Sequence, residues 1–404
     1  MVRKVRQITG LLGPAFVAAV AYVDPGNFAA NFSAGAEYGY LLLWVLILAN
    51  VMAMLVQYLS AKVGIVTGKS LPEVVATKLG RKSRLAYWFQ AEVVAAACDL
   101  AEVIGGAIAL KILFNVPLVI GGIITGAVSL LILATYSRNG QKFYERIILG
   151  MLLIMPAGFI VGLFANPPDI ASAFSGIIPR LQGRDTILLA VAMLGATIMP
   201  HVVYLHSALS RDRHGRLDGD ALKRALRVTK IDVGIAMLLA GSVNIAMLLL
   251  AASALREVEG IDSLEGIFTA LGGVTTPIVA WLFAVALLLS GFASTAVGTQ
   301  AGEIIMKGLI KKRIHPLLRR TVVITPSLIL LTLSVDPTWA LIVSQVVLSF
   351  GIPFALVPLI LISANKKIMG TAVNSHLMNY IITGIVVFVG VLNLVLIYLT
   401  INGM

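Results

Sequence analysis

At 404 residues, 59% of them hydrophobic and 12% charged, with a mean hydropathy of +0.96, the chain is far more apolar than a soluble domain, in which about a quarter of residues are charged. It reads as a polytopic membrane protein. The formal charge of +12 would suit a nucleic-acid binder were its residues not distributed as topology, and a lone cysteine, Cys98, excludes an intrachain disulfide.

Residues 1–6 are basic and precede an apolar run without a small-residue cleavage site, so they read as a cytoplasmic tail and not a cleaved signal peptide. Apolar runs of bilayer-crossing length then fall at about 8–34, 40–64, 85–113, 117–136, 146–165, 186–210, 228–254, 275–308, 321–335, 339–363 and 376–400. These make eleven expected spans.

The first span contains Asp24-Pro25-Gly26-Asn27. Pro25 removes a backbone donor and clashes with the preceding turn, and Gly26 weakens the helix further. A carboxylate near the bilayer centre costs roughly 2.5–3.5 kcal/mol even on the mild insertion scale. Broken backbone at membrane depth survives only inside protein or along a wet cavity. A costly acid beside a broken helix therefore reads as an ion site. The sixth span carries a second interruption, Gly195-Ala196-Thr197-Ile198-Met199-Pro200-His201. Paired breaks in the first and sixth spans point to an inverted-repeat transporter with its site at the midplane. The repeats would be about 8–165 and about 186–363, with an extra helix at about 376–400, all in one transmembrane domain.

Orientation follows from the basic residues. With a cytoplasmic N-terminus, all 31 lysines and arginines fall on the inner side except Lys111, Arg180, Arg184 and Arg256. The positive-inside rule then gives a cytoplasmic N-terminus and an extracytoplasmic C-terminus in the cell (inner) membrane. The basicity is topology, and no nucleic-acid partner is expected; nor is an obligate protein partner evident.

Asp24-Pro25-Gly26-Asn27 together with Met199-Pro200-His201 resembles the Nramp family of proton-coupled divalent transition-metal transporters. Asp99-Leu100-Ala101-Glu102 in span 3, Ser290-Gly291 through Gly298 in span 8, Ser344-Gln345 through Ser349 and Pro353-Phe354-Ala355 in span 10 complete the resemblance. It implies a LeuT-like, all-α fold of eleven transmembrane helices, a 5+5 inverted repeat plus one, with helices 1 and 6 broken. It also implies import of Mn²⁺ or Fe²⁺, with Cd²⁺ and Co²⁺ also accepted, by proton symport and alternating access, with no bound cofactor.

Asp24 would be a hard oxygen ligand that offsets the metal's charge; a helix cap or a pair with an arginine are its competing roles. Asn27, at i+3, can present its amide oxygen to the same point, or bond unwound backbone instead. A methionine in a span is ordinarily packing filler, but Met199 immediately precedes the break that should face Asp24. Its thioether suits Mn²⁺ and Fe²⁺ and is a poor ligand for Mg²⁺ or Ca²⁺. Unwinding would free the carbonyls of Ala21 and Ala196 as further ligands. Gln345 would complete an occluded shell, with an interhelical hydrogen bond as the competing role.

Glu92, Asp99 and Glu102, seven and three residues apart, share one stripe of span 3. Three acids on one face read as a proton relay or as salt bridges to helix-facing arginines, and the two are compatible. His201, with an ordinary pKa near 6.5, is preferred as a proton or gating residue over a metal ligand; His206 reads as structural. The resemblance implies a proton path from Asp24 to Asp99 and Glu102, ending at arginines for which Arg213 and Arg320 are candidates; positive-inside anchoring is the alternative for both. Gly105-Gly106, Gly121-Gly122 and the span 8 glycines read as packing. No Walker motif, nucleophile–base pair or zinc-hydrolase spacing appears, so no enzyme is expected. The alternatives are a carrier of the same fold for Mg²⁺, which Met199 disfavours, or for a sodium-coupled organic solute, whose carboxylate Asp24 would repel.

Overall fold

A computed structural model describes residues 13–402 except 257, 312, 313, 315 and 334. The expected tail, the first residues of span 1, and Glu257, Lys312 and Arg313 lie outside the described residues. Every element described is helical. In chain order they are α1 (Pro14–Ala21), α2 (Pro25–Tyr38), α3 (Leu43–Thr67), α4 (Leu71–Ala76), α5 (Arg81–Phe114), α6 (Leu118–Asn139), α7 (Gln141–Ile154), α8 (Pro156–Ala165) and α9 (Ile170–Ser175). There follow α10 (Gly183–Thr197), α11 (Pro200–His214), α12 (Gly219–Ala254), α13 (Leu264–Val274), α14 (Pro277–Ile310), α15 (Pro316–Thr332), α16 (Pro337–Ser363), α17 (Lys366–Met369) and α18 (His376–Ile401).

Nine stretches among the described residues are long and apolar enough to cross a membrane, counting α7–α8 and α10–α11 as one each. The two remaining expected spans fall on α1–α2, which the break divides, and on α15, which has 17 residues. Phe164, Leu131 and Leu394 leave most of their side chains on the outer surface, as a lipid-facing surface requires.

Small residues let the central helices meet. α14 runs along α5, and a Cβ on Gly291 would lie 2.8 Å from the Gly106 backbone. Gly105 faces Pro25, and Gly106 faces Thr125 of α6. An aromatic cluster of Phe28 and Phe32 (α2), Phe159 (α8) and Phe283 (α14), with ring centroids 5.1–6.1 Å apart, clamps the second half of the broken first span.

Both breaks have the same local cause. Proline pushes the residue before it out of the helical region, and Asp24 (ψ 166°) and Met199 (ψ 115°) are extended at the N-cap positions of the helices that their prolines open, Asp24 alone bonding a helix amide through its side chain. The carbonyls of Ala21 and Ala196 would bond the amides four residues on, but those residues are Pro25 and Pro200, which have none. Freed carbonyls are taken up by side chains: Asn244 Nδ2 donates to Tyr22 O at 2.7 Å, and Ser290 Oγ to Val23 O at 2.5 Å.

Candidate metal site

The two breaks meet through side chains. Asp24 Oδ1 accepts from the Asn27 backbone N–H at 2.8 Å and from Asn27 Nδ2 at 2.7 Å. The same Nδ2 donates to Ala196 O at 3.1 Å, tying the first break to the second. From α16, Gln345 Nε2 donates to Asp24 Oδ2 at 3.2 Å. Gly26 and Gly195 make this approach possible, since a Cβ on Gly26 would overlap the Gln345 amide and one on Gly195 would overlap the Gln345 carbonyl. Asp24, Asn27, Gln345, Met199, Ala21 and Ala196 are all fully buried.

Asp24 thus does cap α2, and Asn27 and Gln345 do bond across the helices. Each amide spends its nitrogen on these bonds, and the oxygens Asn27 Oδ1 and Gln345 Oε1 stay buried without a hydrogen-bond partner. A buried acceptor without a donor is costly, and a cation satisfies it without one. The donor set at the breaks is a carboxylate, two amide oxygens and a freed carbonyl, with the Met199 thioether three residues beyond Ala196.

The acids of α5 form a graded series. Glu102 is fully buried, with Oε2 unpartnered. Asp99 accepts from Arg320 Nη1 at 2.7 Å, both side chains nearly inaccessible. Glu92 accepts from Arg319 Nη2 at 2.8 Å and is 20% exposed. Thr299 joins the two pairs, its hydroxyl taking Arg320 and its carbonyl taking Arg319. Ten residues of helix make the series about 15 Å long, and it leads toward Arg81, where α5 begins. Arg213 lies elsewhere, paired with Glu145 of α7 at 3.3 Å. Arg319 was not singled out from sequence; the only signal was the Arg319-Arg320 doublet itself.

His201 is buried with both ring nitrogens unpartnered. His206 is held structurally: Nδ1 meets Gln57 Oε1 at 2.8 Å, and Gln57 donates onward to the Tyr22 hydroxyl beside the first break. A cavity of about 360 Å³ opens at the basic end, lined among others by Glu73, Tyr136, Arg211, Gln300 and Glu303. Burial alone would raise the Glu73 carboxyl there, but bonds from Ser70 and the Arg211 guanidinium hold it below its ordinary range.

A family model described as natural resistance-associated macrophage protein-like, Nramp, matches residues 15–399. The chain belongs to the Nramp family. Its Nramp relatives are membrane transporters, and it is not an enzyme. The divalent metal cation transporter MntH of Mycobacterium tuberculosis is 55% identical over 394 residues, covering 97% of this chain and 92% of that one. The MntH of Bacillus subtilis is 45% identical over 401 residues, covering 98% and 94%. A crystal structure of the Eremococcus coleocola manganese transporter superposes with a TM-score of 0.87 at 29% identity, covering 96% of this chain and 86% of that one. Mhp1, a nucleobase-cation-symport-1 family transporter, superposes at 0.62 with 16% identity over 86% and 77% of the two chains. That likeness carries the LeuT-like fold alone.

Proposed function

We propose that this Nramp protein imports divalent transition-metal ions, Mn²⁺ and Fe²⁺ first, with Cd²⁺ and Co²⁺ also accepted, and couples each turnover to proton entry. The observation that carries the reading is the Asn27 amide bridging Asp24 and Ala196 O, with two buried amide oxygens left over. In this reading a dehydrated cation replaces the amide donors and satisfies both leftover oxygens. The names of the relatives, divalent metal cation transporter and manganese transporter, support the same substrate class.

In this reading Asp24, Asn27, Met199, Gln345 and the carbonyls of Ala21 and Ala196 form the coordination shell. A bound dication favours the ionised Asp24 carboxylate by charge attraction. The proton it releases passes to His201 and Glu102, then to Asp99 and Glu92, whose arginine pairs open toward the basic end. The two breaks belong to the inverted repeats, about 8–165 and 186–363. The N-terminus and the basic end, including Arg213 and the cavity lined by Arg211, face the cytoplasm, and the C-terminus faces outward across the inner membrane.

Met199 sets selectivity, because sulfur tolerates transition metals and is poor for Mg²⁺ and Ca²⁺. The test is uptake into proteoliposomes, with Mn²⁺, Cd²⁺, Mg²⁺ and Ca²⁺ compared with and without a pH gradient. Wild-type protein takes up Mn²⁺ and Cd²⁺ and acidifies the lumen. Met199→Ala takes up both metals more weakly and becomes sensitive to Mg²⁺ and Ca²⁺. Unchanged competition by those two ions would remove the sulfur from this role.

A further inference from the structure

Beside the second break, three side chains face one another that the metal shell above does not include as a set. Cys98 and Glu102 stand one turn apart on α5, and His201 is in the first turn of α11. One ligand atom from each lies within 4.8 Å of the others, and all three residues are buried. The Cys98 thiol donates to Glu102 Oε1 at 3.4 Å. Glu102 Oε2 and both nitrogens of His201 have no hydrogen-bond partner. The carboxylate occupies space that Gly298 leaves free, since a Cβ there would lie 2.8 Å from Oε2.

Buried polar atoms are nearly always partnered, so an orphaned carboxylate oxygen and an imidazole with neither nitrogen bonded, on side chains this close, need a reason. Thiolate, imidazole and carboxylate are the protein ligands of zinc. In a tetrahedral site of ordinary bond lengths, neighbouring ligand atoms stand ~3.3–3.8 Å apart. The Cys98–Glu102 separation already has that value, and His201 closes the triangle by a ring shift on the order of 1 Å. Asp24, Asp99 and Arg320 all lie close enough to act electrostatically on Glu102; the two carboxylates favour a cation there and the guanidinium, paired with Asp99, offsets one of them. Unlike the oxygen-rich shell at Asp24, a thiolate site ranks soft d¹⁰ cations above Mn²⁺.

We infer that Cys98, Glu102 and His201 form a second metal site, which takes Zn²⁺ and stalls Mn²⁺ transport while Zn²⁺ fills it; Cd²⁺ serves as its spectroscopic probe. Binding displaces the thiol proton to water. The captured ion occupies Glu102 and His201, so neither can pass a proton until it leaves. The inference does not depend on Asp24 being the transport ligand.

Cd²⁺ titrated into the purified full-length protein tests it directly, because cadmium–thiolate bonds absorb in the ultraviolet by charge transfer. Wild type and Asp24→Asn gain this band, whereas Cys98→Ser and Cys98→Ala do not. In proteoliposomes the two Cys98 variants keep Mn²⁺ uptake but require about tenfold more Zn²⁺ for half-inhibition, the lower end of the loss that even outer partners of a metal site produce. Absence of the band in wild-type protein that transports Mn²⁺ overturns the inference. So does its loss in Asp24→Asn, which would move the thiophilic ion to the other site, and so does equal Zn²⁺ inhibition of wild type and the Cys98 variants. Asp24→Asn that loses Mn²⁺ uptake yet keeps the band separates this site from the transport site.

Discussion

Pro25 and Pro200 each do two things with one ring: they bias the preceding residue toward the extended region, and they withdraw the amide that a carbonyl four residues earlier would have used. Asp24 and Met199 are those preceding residues, so the candidate ligands and the freed carbonyls of Ala21 and Ala196 arise from the same covalent constraint. The glycines then decide how near α16 can come. Gly26→Ala presses on the far end of the Gln345 side chain, which can turn away; this variant is expected to fold normally and to lose much of its Mn²⁺ uptake. Gly195→Ala presses on the Gln345 backbone, with Ser349 N 2.9 Å away, and must part α10 from α16. Overpacking of this kind costs about 1–3 kcal/mol, so its thermal midpoint in detergent should fall while that of Gly26→Ala holds. Equal midpoints for the two variants would show that the α10–α16 contact is looser than described.

Among the helices, α5 brings the acids and α15 the arginines, and Asp99–Arg320 is the more deeply buried of the two pairs between them. Removing one member of a buried ion pair costs about 3–5 kcal/mol, because the other charge is left without compensation. Arg320→Met is therefore expected to destabilise the protein by about that much, and Arg320→Met with Asp99→Asn to recover most of it. If Asp99 carries protons, Asp99→Asn keeps part of its Mn²⁺ uptake and stops lumen acidification, and the stabilised double variant does not regain it. A pH-sensitive dye in the liposomes reads the second effect, and normal acidification by Asp99→Asn would exclude the carboxylate from the route. The stripe itself was legible, since residues seven and three apart must share a helix face. The partners were not: they lie 227 and 221 residues away in sequence, and no local rule chooses Arg320 over Arg319 for Asp99 or sends Arg213 to Glu145. Breaks were legible only in part for a related reason. Pro156 also interrupts an apolar run, yet Met155 before it stays helical (φ −55°, ψ −40°) and α8 continues from α7. What set Pro25 and Pro200 apart was the polar company of Asp24, Asn27 and His201, not proline alone. Hydropathy bounds the oily span and not the helix: α12 begins at Gly219, about nine residues before the apolar run at 228.

If the molecule alternates its access as proposed, the fully buried site must open, and α1 is the element expected to move. α1 is only eight residues long and is tied down at its start. Asp232 of α12 accepts from the N–H groups of Gly13, at 3.2 and 3.3 Å, and of Ala15, at 3.2 Å. A carboxylate there satisfies donors that a helix start leaves orphaned and opposes the positive end of its dipole. Gln57 fastens the other end of α1, through Tyr22 and His206. Loss of a capping side chain costs about 0.5–2 kcal/mol, and one or two kcal/mol moves a two-state population by about 5–30-fold. Asp232→Ala should therefore favour the state in which α1 has swung away, with little effect on the helices behind it. Leu209, buried in the cluster that includes α1, reports the motion when replaced by cysteine in a Cys98→Ser background. Alkylation of Leu209→Cys by a maleimide in detergent should be several-fold faster with Asp232→Ala than without it. Identical rates would mean that the start of α1 is not what holds the basic side closed, and would shift the gate to the Gln57–Tyr22–His206 contacts.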